Sequence, residues 1–183
     1  MKPRLIGIDI GSESDLAQCV EGLKLLKEAV ACGEAEVVDT FKPLSSHRNT
    51  DEVLARLESC EEEGIDVLIT GAGWANHLTG TVDAYLRYTL GNTTTTVIGV
   101  AFVDPDNVDH TQAAMLSISE VPKTQVVFED GKGQFVGKEG FTRACELAIH
   151  GEFPEITIPE PKPARTFTLD EAIERGKTLR AAA

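Results

Sequence analysis

The chain reads as a doubly wound α/β domain, a parallel sheet covered by helices on both faces. Two observations predict this. Short apolar, β-branched runs alternate with longer stretches patterned at helical spacing. Three runs are followed by polar turns: Gly11-Ser12-Glu13-Ser14-Asp15, Ser45-Ser46-His47-Arg48 and Gly71-Ala72-Gly73-Trp74-Ala75-Asn76-His77. In a parallel sheet the carboxyl ends of the strands share one edge, where ligands bind. Segments far apart in sequence therefore converge on one pocket.

Residues 5–10, apolar apart from Asp9, are the first predicted strand. Ser12 and Asp15 have capping-box spacing for a helix start. Leu16, Val20, Leu23, Leu26, Lys27 and Val30 continue at helical spacing to Gly33. Residues 36–41 form a second strand. Thr50 is a candidate cap for a helix through Val53, Leu54, Leu57 and Cys60 to Gly64. Residues 66–70 form the third strand. The next helix spans 74–90, with Gly80 weakening its middle and Gly91-Asn92 ending it. A fourth strand follows at 95–102, a helix at 113–119 and a fifth strand at 125–128. The helix at 138–150 places Phe141, Ala144, Cys145, Ala148 and Ile149 on its apolar side.

Residues 1–150 thus read as one α/β domain. From residue 151 the composition changes, with Pro154, Pro159, Pro161 and Pro163 close together, which predicts an extended arm. Thr168 with Glu171 is a capping box for a polar helix over 169–179. That helix has little apolar face of its own, so it is expected to dock on a neighbouring subunit rather than to fray.

At 183 residues the chain is long enough for one full core and a tail. Its 42% hydrophobic and 26% charged content are ordinary for a soluble globular protein. The net charge of −13 excludes the basic footprint that nucleic-acid binding needs. It leaves room for a phosphorylated small molecule, which one cation and a few backbone amides can hold. Cys19, Cys32, Cys60 and Cys145 show no CxxC pair and no metal-like spacing. They are expected to be buried free thiols in a reducing compartment. No apolar run approaches the ~20 residues of a membrane span. The N-terminus lacks a signal-peptide core, so a cytoplasmic location is expected.

The first turn offers Ser12, Ser14, Asp15 and the open amides beside Gly11; helix capping alone would also explain it. In the second, Arg48 can grip a phosphate or carboxylate in fork geometry, and Ser45 and Ser46 can bond its oxygens. His47 is then the group able to move a proton near neutral pH. In the third, Gly73, Ala75 and Leu78 surround Asn76 and His77, and small residues let backbone amides approach a bound anion. Trp74 is unexpected in so tight a turn, where a core or subunit-interface anchor is the simplest role.

Together these residues resemble the PurE-type family, the N5-carboxyaminoimidazole ribonucleotide mutases and aminoimidazole ribonucleotide carboxylases of purine synthesis. Residues 11–15 match its GSxSD turn, 45–48 its SAHR loop and 71–80 its GAGGAAHLPG turn. Ser117-Ile118-Ser119-Glu120-Val121-Pro122 matches its SIVQMP segment more loosely. The resemblance covers residues 5–149. It implies a flavodoxin-like three-layer α/β/α sandwich and an octamer that shares sites between subunits, with the arm and last helix as docking elements. It also implies a ribonucleotide and carbon dioxide as ligands, with no metal and no organic cofactor.

By the same resemblance His47 is the general acid/base, and Ser14, Ser45 and Arg48 hold the ribose phosphate. Ser12 lies near the reacting carboxylate, and Asp15 accepts from ribose hydroxyls. Residues 73–78 line the carbon dioxide site, with His77 at its mouth. The chain departs from the family pattern at Ser46, Trp74, Asn76, Thr79, Glu120 and residues 104–112. These departures leave open the carboxylase branch, a different phosphorylated heterocycle, or a non-catalytic nucleotide-binding oligomer.

Overall fold

The computed structural model describes residues 2–38, 42–158 and 160–181. Four parallel strands form the sheet: β1 (Arg4–Ile10), β2 (Ala35–Val37), β3 (Val67–Ala72) and β4 (Thr96–Ala101), in the order β2-β1-β3-β4. The helices are α1 (Leu16–Ala31), α2 (Thr50–Glu63), α3 (His77–Ala84), α4 (Val108–Ser119), α5 (Gly137–His150) and α6 (Leu169–Ala181). Ile6, Ile8 and Ile10 of β1 join a core with α1 and α5, while Leu68 of β3 and Val97 of β4 join a second core with α2 and α3. The sheet thus lies between two helical layers, the predicted flavodoxin-like sandwich. Strand order reverses beside β1, and that switch point opens the edge where the polar turns lie.

The helix faces differ from the apolar stripes. In α1 the buried residues are Cys19, Gly22, Leu26 and Ala29, while Val20 and Val30 are exposed. Small residues set this interface: a Cβ on Gly22 would stand 2.6 Å from a ring carbon of Phe141, so α1 and α5 meet at the glycine. The five apolar residues expected on α5 are all buried. Cys19, Cys60 and Cys145 are buried free thiols, but Cys32, at the C-cap of α1, is exposed.

Several boundaries move. Of the second predicted strand only Ala35–Val37 lies in the sheet; residues 39–41 fall outside the described residues, as does Pro159 of the arm. Ser12 caps a short 3-10 turn (Glu13–Asp15) through the Ser14 amide, and Asp15 makes no capping bond, so this capping box does not form. Asn49, not Thr50, is the N-cap of α2, and the Thr50 hydroxyl donates to the Ser46 carbonyl at 2.6 Å. The predicted 74–90 helix begins at His77, because Asn76 caps it, and its last turn over Tyr85–Thr89 is π-helical. α4 starts at Val108 rather than 113, because the Asn107 side chain accepts from the Asp109 amide at 3.0 Å.

The predicted fifth strand is not one. The Gly99 amide donates to the Val127 carbonyl and the Val127 amide to the Val97 carbonyl, both at 2.9 Å. The chain then leaves the edge through Gly131 and Gly133, both with positive φ, and touches β4 again where Ala101 donates to Phe135. Two single bridges therefore stand where a continuous ladder was expected.

Gly140 of α5 lies directly on this returning segment, where an added Cβ would stand 2.4 Å from the carbonyl carbon of Phe135. Overpacking against backbone has no easy relief. Gly140→Ala is expected to lower stability by about 2 kcal/mol in urea unfolding, and an unchanged midpoint would contradict this packing.

The arm runs without regular structure from Gly151 and is tied to the domain through Thr157, whose amide donates to Gln125 Oε1 at 2.7 Å. The predicted capping box at its end is formed: Glu171 accepts from the Thr168 amide at 2.7 Å and donates its own amide to Thr168 Oγ1 at 3.3 Å. The described side chains of α6 are exposed. No helix among the described residues is long and apolar enough to cross a membrane.

Candidate active site

The three turns surround a cavity of about 500 Å³ at the carboxyl edge of the sheet. The first and third are joined directly, the Gly11 amide donating to the Gly71 carbonyl at 2.8 Å. A Cβ on Gly11 would stand 2.7 Å from that of Ala72, so this approach requires glycine. Gly11, Ser12, Ser14 and Asp15 line one side, and Ser45, Ser46, His47 and Arg48 another. Gly73, Trp74, Ala75, His77 and Leu78 complete the wall with Ala72, which the sequence placed in the third turn without singling it out and which ends β3.

Asn76 is the exception among the expected site residues. It is fully buried, its Oδ1 accepting from the Thr79 amide at 3.1 Å and its Nδ2 donating to the Val100 carbonyl at 3.0 Å. Its amide caps α3 and ties that helix to β4, leaving nothing for the cavity. Asn immediately before a helical stripe is itself the signal for that role.

The second turn is folded back on itself, with the Arg48 and Asn49 amides donating to the Ser45 carbonyl at 3.1 and 2.8 Å. This places His47 against His77: Nε2 of the first lies 2.8 Å from Nδ1 of the second, with the rings at 74°. One nitrogen of the two must carry the proton and the other accept it, so each ring fixes the tautomer of its partner. Arg48 is exposed on the same rim, and among the described residues it has no ion-pair partner. The Ser12 and Ser14 hydroxyls are 2.8 Å apart. Burial pushes the Asp15 carboxyl up to about 6, against the opposing effect of the Gly73 backbone hydrogen bond.

Trp74 is neither helical nor a core anchor. Its φ is 58°, it is 66% exposed, and its indole stacks on His110 with centroids 4.1 Å apart and planes at 20°. His110 Nδ1 lies 2.7 Å from Asp104 Oδ2, a hydrogen bond that holds the Asp104 carboxyl below its ordinary range. The atypical 104–112 segment thus brings an imidazole beneath Trp74. Spacing in the sequence gave no sign of this contact.

Among the described residues no group of three or more His, Cys, Asp or Glu side chains is placed to hold a metal ion. The donors present suit a phosphorylated organic anion: the Arg48 guanidinium, serine hydroxyls and turn amides, with an imidazole pair for proton transfer.

Fold and cavity together define a doubly wound α/β protein with a polar cavity at the switch point of its sheet. The AIR carboxylase family model matches residues 5–129, and the chain belongs to that family. It is 33% identical over 159 residues to the N5-carboxyaminoimidazole ribonucleotide mutase of Pyrococcus abyssi, covering 86% of this chain and 77% of that protein. With the mutase of Thermotoga maritima it shares 38% over 77 residues, 42% of each chain. With the phosphoribosylaminoimidazole carboxylase of Schizosaccharomyces pombe it shares 35% over 80 residues, 44% of this chain and 13% of that protein. The match to the last two spans less than half the length of each relative.

Proposed function

We propose that the chain moves a carboxyl group on aminoimidazole ribonucleotide, converting the N5-carboxylated form to the ring-carboxylated one in purine synthesis. The observation that carries this reading is the His47–His77 hydrogen bond at the cavity, with Arg48 and Asp15 on the same rim. The names of the Pyrococcus and Thermotoga relatives favour the mutase over direct carboxylation by free carbon dioxide. Asn76, one of the departures that left the carboxylase branch open, caps α3.

In the proposed reaction His47 protonates the exocyclic nitrogen as its bond to the carboxyl carbon breaks, releasing carbon dioxide within the site. The nucleophilic ring carbon captures the carbon dioxide, and His47 removes the ring proton, so no proton is gained or lost overall. Through its Nδ1 contact His77 sets the tautomer of His47. Arg48, Ser45 and Ser14 bind the phosphate, Ser12 lies near the reacting carboxylate, and Asp15 accepts from the ribose hydroxyls. The small residues Gly73 and Ala75 leave room for carbon dioxide close to the ring carbon, where proximity and exclusion of water favour recapture. The protein works as a cytoplasmic homo-oligomer, octameric by resemblance. The arm and exposed α6 act as docking elements between copies.

Rescue of a bacterial strain lacking its own N5-carboxyaminoimidazole ribonucleotide mutase tests this reading. Growth without added purine is expected with the wild-type chain and not with His47→Asn. Failure of the folded wild-type protein to rescue, with tight binding of another ribonucleotide, would favour a different heterocycle, a reading to which Trp74 in the cavity wall lends support.

Asp15 gives this function a pH signature. As an acceptor for ribose hydroxyls it acts in its ionised form. Apparent affinity for the ribonucleotide is therefore full above about 6 and lost as pH falls through that value. Asp15→Asn should weaken binding at pH 7.5 and flatten the profile of KM between pH 5 and 8. A wild-type profile that is already flat there contradicts the role.

A further inference from the structure

The stack of Trp74 on His110 has no part in the proton transfers described above. Trp74 has a φ of 58°, a region that glycine enters freely and that a bulky L-residue enters only at a cost. Its neighbours Gly73 and Ala75 are small, and the tryptophan between them belongs to neither core. Such a conformation persists only where its surroundings hold it, and here they do. His110 Nδ1 lies 2.7 Å from Asp104 Oδ2 and its Nε2 3.2 Å from Asn107 Nδ2. Asn107 also caps α4, so the imidazole sits on a fixed helix start.

One face of the indole is covered by this clamped ring. The side chain is nevertheless 66% exposed, and it borders the cavity in the same turn as His77. A rigid, flat, largely unburied aromatic surface thus stands at the wall of the cavity that holds the acid/base pair.

We propose that Trp74 is a specificity-determining residue: its indole, positioned by His110, is the platform on which the planar heterocycle of a bound ribonucleotide stacks. This rests on the ribonucleotide reading above and adds the element that recognises the base rather than the phosphate. Stacking of a base on an aromatic side chain is worth ~1–3 kcal/mol, and a sugar phosphate without a base gains none of it.

The chain has a single tryptophan, so its emission reports Trp74 alone. Purified protein is titrated with aminoimidazole ribonucleotide and, separately, with ribose 5-phosphate, and turnover of N5-carboxyaminoimidazole ribonucleotide is measured in the same preparation. The nucleotide is expected to change the emission and the sugar phosphate to leave it nearly unchanged. Trp74→Gly, read by calorimetry, should weaken nucleotide binding about tenfold without altering affinity for ribose 5-phosphate. His110→Ala should weaken it several-fold, and His110→Phe, which keeps an aromatic ring beneath the indole, should restore it.

Equal losses for the two ligands in Trp74→Gly, or none for either, overturn the platform. So does a blue-shifted emission that neither compound changes, with assembly that depends on concentration, since Trp74 would then lie between copies of the chain. Unchanged emission in protein that turns substrate over overturns the platform and leaves the reaction standing. A response to nucleotide without turnover overturns the reaction and leaves the platform.

Discussion

His47→Asn is expected to reduce turnover of the N5-carboxylated ribonucleotide by about 10²–10⁴-fold while the protein remains folded, since this is what removal of a general acid/base group costs. The ring is exposed at the cavity rim and belongs to neither core, so its loss should leave the unfolding midpoint nearly unchanged. Substrate binding should weaken much less than turnover, because Arg48 and the serines of the first two turns remain. His77→Ala should have a smaller effect on rate, as it removes the partner that fixes the tautomer rather than the group that moves the proton. Single-turnover kinetics on the two variants separates these roles. Retention of wild-type turnover by His47→Asn would contradict the mechanism.

The largest expected loss of stability lies elsewhere. Arg87→Met should cost about 3–5 kcal/mol in urea unfolding, the usual result of removing one partner of a buried ion pair. Arg87 is 1% exposed, and burial pulls its pKa down against the attraction of Asp83. Its Nη1 donates to the Asn92 carbonyl at 2.9 Å and its Nη2 to the Thr95 carbonyl at 2.8 Å, while Nε stands 3.3 Å from Asp83 Oδ1 without hydrogen-bond alignment. Asp83 in turn accepts from Thr124 Oγ1 and the Gln125 amide. One side chain thus ties the π-helical end of α3 to the turn before β4 and, through Asp83, to the segment along the sheet edge. In Arg87→Met the carboxylate is stranded; adding Asp83→Asn should recover part of the loss. A loss below about 1 kcal/mol in the single variant would show that the network is not structural.

The alternation of strands and helices was legible because each strand is a short apolar run and several helices have a recognisable end. The cavity was legible for a different reason: in two turns polar residues stand beside glycines at strand ends, and in the other, two serines, a histidine and an arginine follow one another. What stayed hidden came from contacts between distant segments. Gly22, not Val20, faces α5 because helices approach closest over the smallest residue. The fifth strand fails because Gly131 and Gly133 let the chain leave the edge after one bridge. Asn76 looked like a cavity residue because its motif position suggested one, whereas its amide is needed at the helix start and by Val100. The Trp74–His110 stack joins the third turn to the first turn of α4, and no local pattern announces such a pair. The buried Asp9 belongs to the same class: Arg56 reaches it from α2 at 3.7 Å, yet burial still pushes its carboxyl up to about 6.

The central claim is that this cavity moves a carboxyl group on an aminoimidazole ribonucleotide. Its most direct test offers the purified, folded protein N5-carboxyaminoimidazole ribonucleotide and, separately, aminoimidazole ribonucleotide with bicarbonate, while product absorbance is followed. Turnover of the N5-carboxylated compound, with little of the parent, is the predicted result. Turnover of the parent alone would assign the carboxylase reaction, and turnover of neither would contradict carboxyl transfer on this substrate.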